Sequence, residues 1–119
     1  MTISILEIQE RLRFTMSFLF EKEGRVAYWP AMFSEGLGCS VSDVKHAMCL
    51  MRQAGYLVEW MDLRCPQGHL IYQKAVGPLR DGDFACQECG HSAVEGTMAS
   101  LYFVMSEDWK TLLNSGKVR

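Results

Sequence analysis

The sequence predicts an α+β chain built from two small parts. Three observations carry this. Over the first half, apolar residues recur at three- and four-residue spacing behind serine caps, the pattern of amphipathic helices. From Arg64 onward the chain turns to short β-like stretches separated by Gly- and Cys-bearing turns, then closes with one more capped helical segment. Two Cys/His pairs in that second half have metal-site spacing. The expected division is 1–62 and 63–119.

The first element is a helix. Ser4-Ile5-Leu6-Glu7 has capping-box spacing, in which Ser4 accepts from a backbone N–H and Glu7 reaches back. Ile5, Ile8, Leu12, Met16 and Leu19 line one face, and Phe14, Phe18 and Phe20 widen the apolar surface. Gly24 is the expected stop, because glycine accepts the left-handed conformation that ends many helices. Val26 to Trp29 reads as a short strand. Pro30 suits a helical first turn, so Pro30 to Glu35 reads as a short helix, followed by a Gly36-Leu37-Gly38 turn.

Ser40 and Asp43 repeat the capping interval and open a third helix. Its inward stripe is Val41, Val44, Met48 and Met51, with Ala47 beside it. Gly55 marks its end, and Tyr56 to Met61 reads as a strand.

This order, from the first helix to the strand, resembles a winged helix-turn-helix, the resemblance being carried from Trp29 to Trp60. The resemblance rests on Phe33 to Val44 and on Met51-Arg52-Gln53-Ala54-Gly55-Tyr56-Leu57-Val58, which is similar to that family's helix end, glycine and first wing strand. It covers about half of the chain. It implies that the third helix is offered to a DNA major groove. On its outer face Lys45 and Arg52 then suit phosphate, and Ser42, His46 or Gln53 suit a base edge. Asp43 near the helix start would repel phosphate.

In the second half, Leu70 to Ala75 reads as a strand, Gly77-Pro78 and Asp81-Gly82-Asp83 as turns, and Leu101 to Met105 as a strand. Ser106 caps a terminal helix whose first turn carries Glu107 and Asp108, the favourable sign at that end of the helix dipole.

The most informative feature is Cys65-Pro66-Gln67-Gly68-His69, followed by Cys86-Gln87-Glu88-Cys89-Gly90. Two ligands from one tight turn meet a metal only at short spacing. Cys89 lies three residues after Cys86, and the longer His69 side chain spans the extra residue from Cys65. Thiolate sulfur and imidazole nitrogen are zinc's preferred donors, so Cys65, His69, Cys86 and Cys89 are the expected ligands of one structural Zn2+. His91 is an alternative fourth ligand. The pattern resembles a zinc ribbon, with one histidine in place of the commoner fourth cysteine. The expected fold is therefore an N-terminal winged helix-turn-helix with a C-terminal zinc ribbon and terminal helix. That order is similar to the alpha subunit of archaeal and eukaryotic transcription initiation factor E, and to short accessory proteins of prokaryotic multi-gene systems.

Composition narrows the function. The 119 residues are 49% hydrophobic and 22% charged, enough to build a core. The formal net charge is −2, which argues against gripping nucleic acid by bulk charge. No apolar run approaches the ~18 residues of a membrane span, and no secretory leader pattern opens the chain. A cytoplasmic setting with reduced thiols is therefore expected. Cys39 and Cys49 fall outside the knuckles and read as small hydrophobic fillers. A four-ligand site leaves no position for a catalytic water. No nucleophile elbow, phosphate loop or dinucleotide fingerprint is present, and Glu59, Asp62, Asp81 and Asp83 read as solvated turn charges. The expected function is a non-enzymatic regulator or adaptor without a small-molecule substrate. It would work with a partner protein and bind DNA weakly or within a complex. The alternative is a protein-interaction subunit with no nucleic-acid contact.

Overall fold

The computed structural model describes residues 3–115. The fold is α+β. Its elements run α1 (Ile5–Glu23), β1 (Ala27–Tyr28), α2 (Ala31–Leu37), α3 (Val41–Gln53), β2 (Leu57–Arg64), β3 (Leu70–Ala75), a 3-10 turn (Asp81–Phe84), β4 (Met98–Met105) and α4 (Glu107–Ser115). The four strands form one sheet in the order β1-β4-β2-β3, with antiparallel β1–β4 and β2–β3 pairs. The chain forms two compact units. Among the described residues, those up to Val58 and from Phe103 onward make the first, and Glu59 to Tyr102 make the second.

The first unit is built on caps and one buried cluster. Ser4 Oγ accepts from Glu7 N at 3.1 Å, and Ser40 Oγ from Asp43 N at 3.0 Å, each satisfying an orphan donor of a helix start. Only the serine half of the first expected box forms as read. The Glu7 carboxylate pairs forward with Arg11 at 3.3 Å. Gly24 closes α1 in the left-handed conformation at φ 69°. The second helix runs on through Gly36 and Leu37, which the sequence suggested as a turn, and Gly38 closes it in the same conformation.

The core joins Ile8, Leu12 and Met16 of α1 to Val44, Ala47, Met48 and Met51 of α3, with Tyr28, Phe33, Leu57, Phe103, Met105 and Trp109. Trp109 explains why the terminal helix departs from the expected division, which assigned it to the second part. A nine-residue amphipathic helix needs a surface for its apolar stripe. Here Trp109 joins the first unit's core, its ring set edge-on to Tyr56 at 5.2 Å. Val41, expected on the inward stripe of α3, is exposed; of the three phenylalanines that widen the apolar surface of α1, Phe14 and Phe18 are exposed and Phe20 packs against the core. At 100° per residue, Phe14 and Phe18 fall away from the Ile8–Leu12–Met16 side.

In the second unit, β2 and β3 pair from Trp60↔Ala75 to Leu63↔Tyr72, then slip by a bulge before Arg64↔Leu70. The bulge re-aims the chain at the rim of the hairpin, where Cys65 begins the connecting turn. Tyr102 Oη donates to Asp62 Oδ1 at 2.8 Å and accepts from Gln73 Nε2 at 3.1 Å. Asp62 is thus a structural acceptor rather than a solvated charge. Asp81-Gly82-Asp83 forms a turn of 3-10 helix, with Asp83 Oδ2 accepting from Arg80 N at 2.8 Å.

Candidate metal centre

Two similar backbone turns build the site. In the first, Gly68 N–H donates to Cys65 O at 2.9 Å and Cys65 N–H to His69 O at 3.0 Å. Gly68 takes φ 89°, a conformation that a side chain there would strain. His69 N–H then points at Cys65 Sγ, 3.3 Å away. In the second, Gly90 N–H donates to Cys86 O at 2.9 Å and Cys86 N–H to His91 O at 2.7 Å, with Gly90 at φ 76°. The first turn closes the β2–β3 hairpin. The second follows the 3-10 turn and belongs to no hairpin, so the two knuckles differ in their support.

The turns bring four side chains together. The ligand atoms of Cys65, His69, Cys86 and Cys89 all lie within 4.8 Å of one another. His69 Nδ1 is 3.3 Å from Cys65 Sγ and 3.7 Å from Cys86 Sγ. Cys65 and Cys86 are buried, His69 is half-buried and Cys89 is exposed. This group can hold one metal ion. Among the described residues no other cluster of three or more His, Cys, Asp or Glu side chains has this closeness.

The thiols of the group titrate unequally. Burial alone would raise the Cys65 thiol. Donors from the His69 and Gln67 backbone and from the Cys89 and Cys86 thiols outweigh it and bring Cys65 down to about 6. Cys89 moves the other way. The His91 N–H favours its thiolate, but desolvation and the adjacent Cys86 and Cys65 sulfurs outweigh that and push the thiol up. The Cys65 thiolate is stabilised at the expense of Cys89. A bound cation removes the competition, since it favours every thiolate at once.

Two more side chains stand around the group, Glu88 and His91. His69 joins the cluster through Nδ1, and its Nε2 lies 3.2 Å from Glu88 Oε2. A carboxylate on the far ring nitrogen is the usual support of a metal-ligating histidine, because it orients the ring and raises its basicity. Glu88 carries no ligand signature of its own in the sequence; its only signal there is its position between Cys86 and Cys89. His91 does not supply a ligand atom to the group. Its Nε2 sits 3.5 Å from Thr97 Oγ1, and its carbonyl helps to close the second turn.

The residues suggested for DNA lie on α3, away from this centre in sequence. Ser42, Lys45, His46 and Arg52 are all exposed, while Val44, Ala47, Met48 and Met51 on the other side are buried. Cys39 and Cys49 are half-buried against the first unit's core, as fillers would be. Among the described residues, no helix is long and apolar enough to cross a membrane. No family model, curated protein or solved structure matches the chain.

Proposed function

We propose that the chain is a small non-enzymatic regulator or adaptor of winged-helix/zinc-ribbon type, stapled by one structural Zn2+. It contacts DNA weakly or within a protein–DNA complex. The carrying observation is the convergence of three cysteines and His69, with Glu88 behind the imidazole. Tetrahedral Zn–S bonds of about 2.3 Å and Zn–N bonds of about 2.0–2.1 Å put sulfur and nitrogen donors about 3.6 Å apart. The Sγ···Nδ1 distances of 3.3 and 3.7 Å match. Three thiolates and an imidazole favour zinc over harder cations and over iron–sulfur clusters, which usually take four cysteines. Four protein ligands close the coordination shell, which supports a structural role. Thiolate ligands also need a reducing setting such as the cytoplasm.

The winged-helix part of the proposal is supported by the order of the first unit. A helix, a two-residue strand, two helices and a strand follow one another, and β1 pairs with β4 beside β2. The outer side of α3 offers Lys45 and Arg52 with Ser42 and His46. The net charge of −2 favours a partner protein that shares any DNA contact. It also supports the second reading, a protein-interaction subunit that never meets DNA.

Two measurements test this. Elemental analysis of protein purified under reducing conditions is expected to find about one zinc per chain, lost in Cys86→Ser. Duplex binding titrated against salt is expected to weaken steeply as salt rises, and to be lost in Lys45→Ala/Arg52→Ala. Metal-free protein of undiminished stability would overturn the zinc site. Absence of binding to any duplex at low salt would leave the protein-interaction reading.

A further inference from the structure

Helix α1 carries a second pattern that the core does not use. Its buried side is Ile8, Leu12 and Met16. On the other side Phe14 and Phe18 stand one turn apart, 76% and 51% exposed. Glu10 and Arg11 precede them and Glu21 and Lys22 follow, all exposed. At 100° per residue these six share one face about a third of the circumference wide. Lone exposed apolar side chains are ordinary, whereas paired aromatics ringed by charge mark a contact surface.

The order of charges names the occupant. Between Glu10 and Lys22 the face reads negative, positive, Phe, Phe, negative, positive, with Glu7 one turn before Arg11 as its present partner. Reversed, it becomes its own complement. A parallel alignment sets each charge against its own copy, and an antiparallel one sets every charge against its opposite. We propose that this face of α1 is a homodimer interface, in which two copies pair their first helices antiparallel about a two-fold axis at the level of Met16. Phe14 then meets Phe18 of the second copy, Glu10 meets Lys22, and Arg11 meets Glu21. Two-fold symmetry makes each contact occur twice.

The phenylalanines form the apolar centre that supplies affinity, and the charges form a rim that sets direction. Existing local contacts are compatible with this. Arg11 is paired with Glu7 at 3.3 Å, but both are half exposed, and such a pair is readily shared. Lys22 Nζ lies 6.0 Å from the Phe18 ring centre, already beside the patch. One helical face is smaller than the ~1,600 Å² of a standard interface, so affinity in the roughly micromolar range is expected.

Sedimentation of the full zinc-supplied chain from about 1 μM to about 1 mM tests the proposal. The expected result is a concentration-dependent dimer. Phe14→Gln/Phe18→Gln should move its midpoint at least about tenfold higher, with helix content and thermal midpoint retained because both positions are exposed. Glu10→Lys and Lys22→Glu should each weaken the dimer, and the two together should restore it. Restoration is an outcome that neither misfolding nor general stickiness produces. A monomer across the whole range would overturn the proposal. So would a dimer indifferent to the phenylalanine changes, or a double swap no better than the single ones.

Discussion

Glu88 holds His69 by its far ring nitrogen: Oε2 lies 3.2 Å from Nε2, while Nδ1 faces Cys65 Sγ at 3.3 Å. With Nε2 donating to the carboxylate, Nδ1 keeps a free lone pair aimed into the cysteine cluster. That is the tautomer a metal ligand needs. Glu88→Ala should therefore lower metal affinity by about 10- to 100-fold, towards the smaller figure because Glu88 is largely exposed. Glu88→Gln keeps an acceptor and should fall between the two. Competition against a chromophoric chelator at fixed pH measures this. Equal affinity in all three proteins would show that the carboxylate contributes nothing to the site.

The two histidines near the centre should separate cleanly. His69→Ala removes a member of the four-atom group and should leave a three-cysteine site that loses metal readily. His91→Ala removes only a side chain resting on Thr97, because the bond from Cys86 N–H reaches the His91 backbone carbonyl. Metal content should fall in the first variant and persist in the second. The reverse result would transfer the fourth ligand to His91.

How much of this was legible in advance depended on how local the cause was. Serine caps at Ser4 and Ser40 and the closing Gly24 act within one helical turn, so spacing alone exposed them. The ligand group was readable for the same reason, since each pair meets within a tight turn. The orientation of Phe14 and Phe18 was less so. Helical spacing sets them away from the Ile8–Leu12–Met16 side, but their apolar character also suited a wider buried surface, and the extent of the core decides between the two. The place of the terminal helix was unreadable from local pattern, because Trp109 packs against Tyr56, half the chain away. Spacing alone favours His69 over His91, because Cys65 otherwise lacks a partner in its own turn, and the ligand group has that membership.

Tyr28 couples a buried hydroxyl to alkaline stability. Its Oη donates to Arg25 O at 2.6 Å, and desolvation pushes its pKa up to about 12, only partly opposed by Arg25. A phenol whose folded pKa lies above the unfolded value of 10.0 contributes stability that is intact below pH 10. That contribution is lost as pH rises from 10 towards 12. Tyr28→Phe lacks the hydroxyl and should cost about 1 kcal/mol at neutral pH, from the unpaired Arg25 carbonyl. The gap between the two proteins should then narrow above pH 10. Denaturant titrations at pH 8 and pH 11 give the comparison. A gap independent of pH would mean that the Tyr28 hydroxyl does not titrate with unfolding.

Among the described residues, Gly96 is the glycine with least room. Its φ is 82°, and a Cβ added there would come within 2.9 Å of Pro66 Cγ and 3.6 Å of His91 Cε1. Pro66 is a stiff ring next to Cys65 in the first turn, so it yields less readily than the end of a long side chain. Gly96→Ala therefore meets both backbone strain and a clash, and should destabilise the second unit by about 1–3 kcal/mol. Gly82→Ala is the matched control: an added Cβ there meets nothing within 4 Å, and φ is not positive. It should stay within about 0.5 kcal/mol of the parent. Hydrogen exchange across the β2–β3 hairpin reports the second unit, while α1 and α3 report the first. Loss of protection in the hairpin with α3 unchanged is the expected pattern, because Gly96, Pro66 and His91 all lie within Glu59 to Tyr102. Equal protection in the two alanine variants would mean that the Gly96 loop relaxes freely and does not buttress the knuckles.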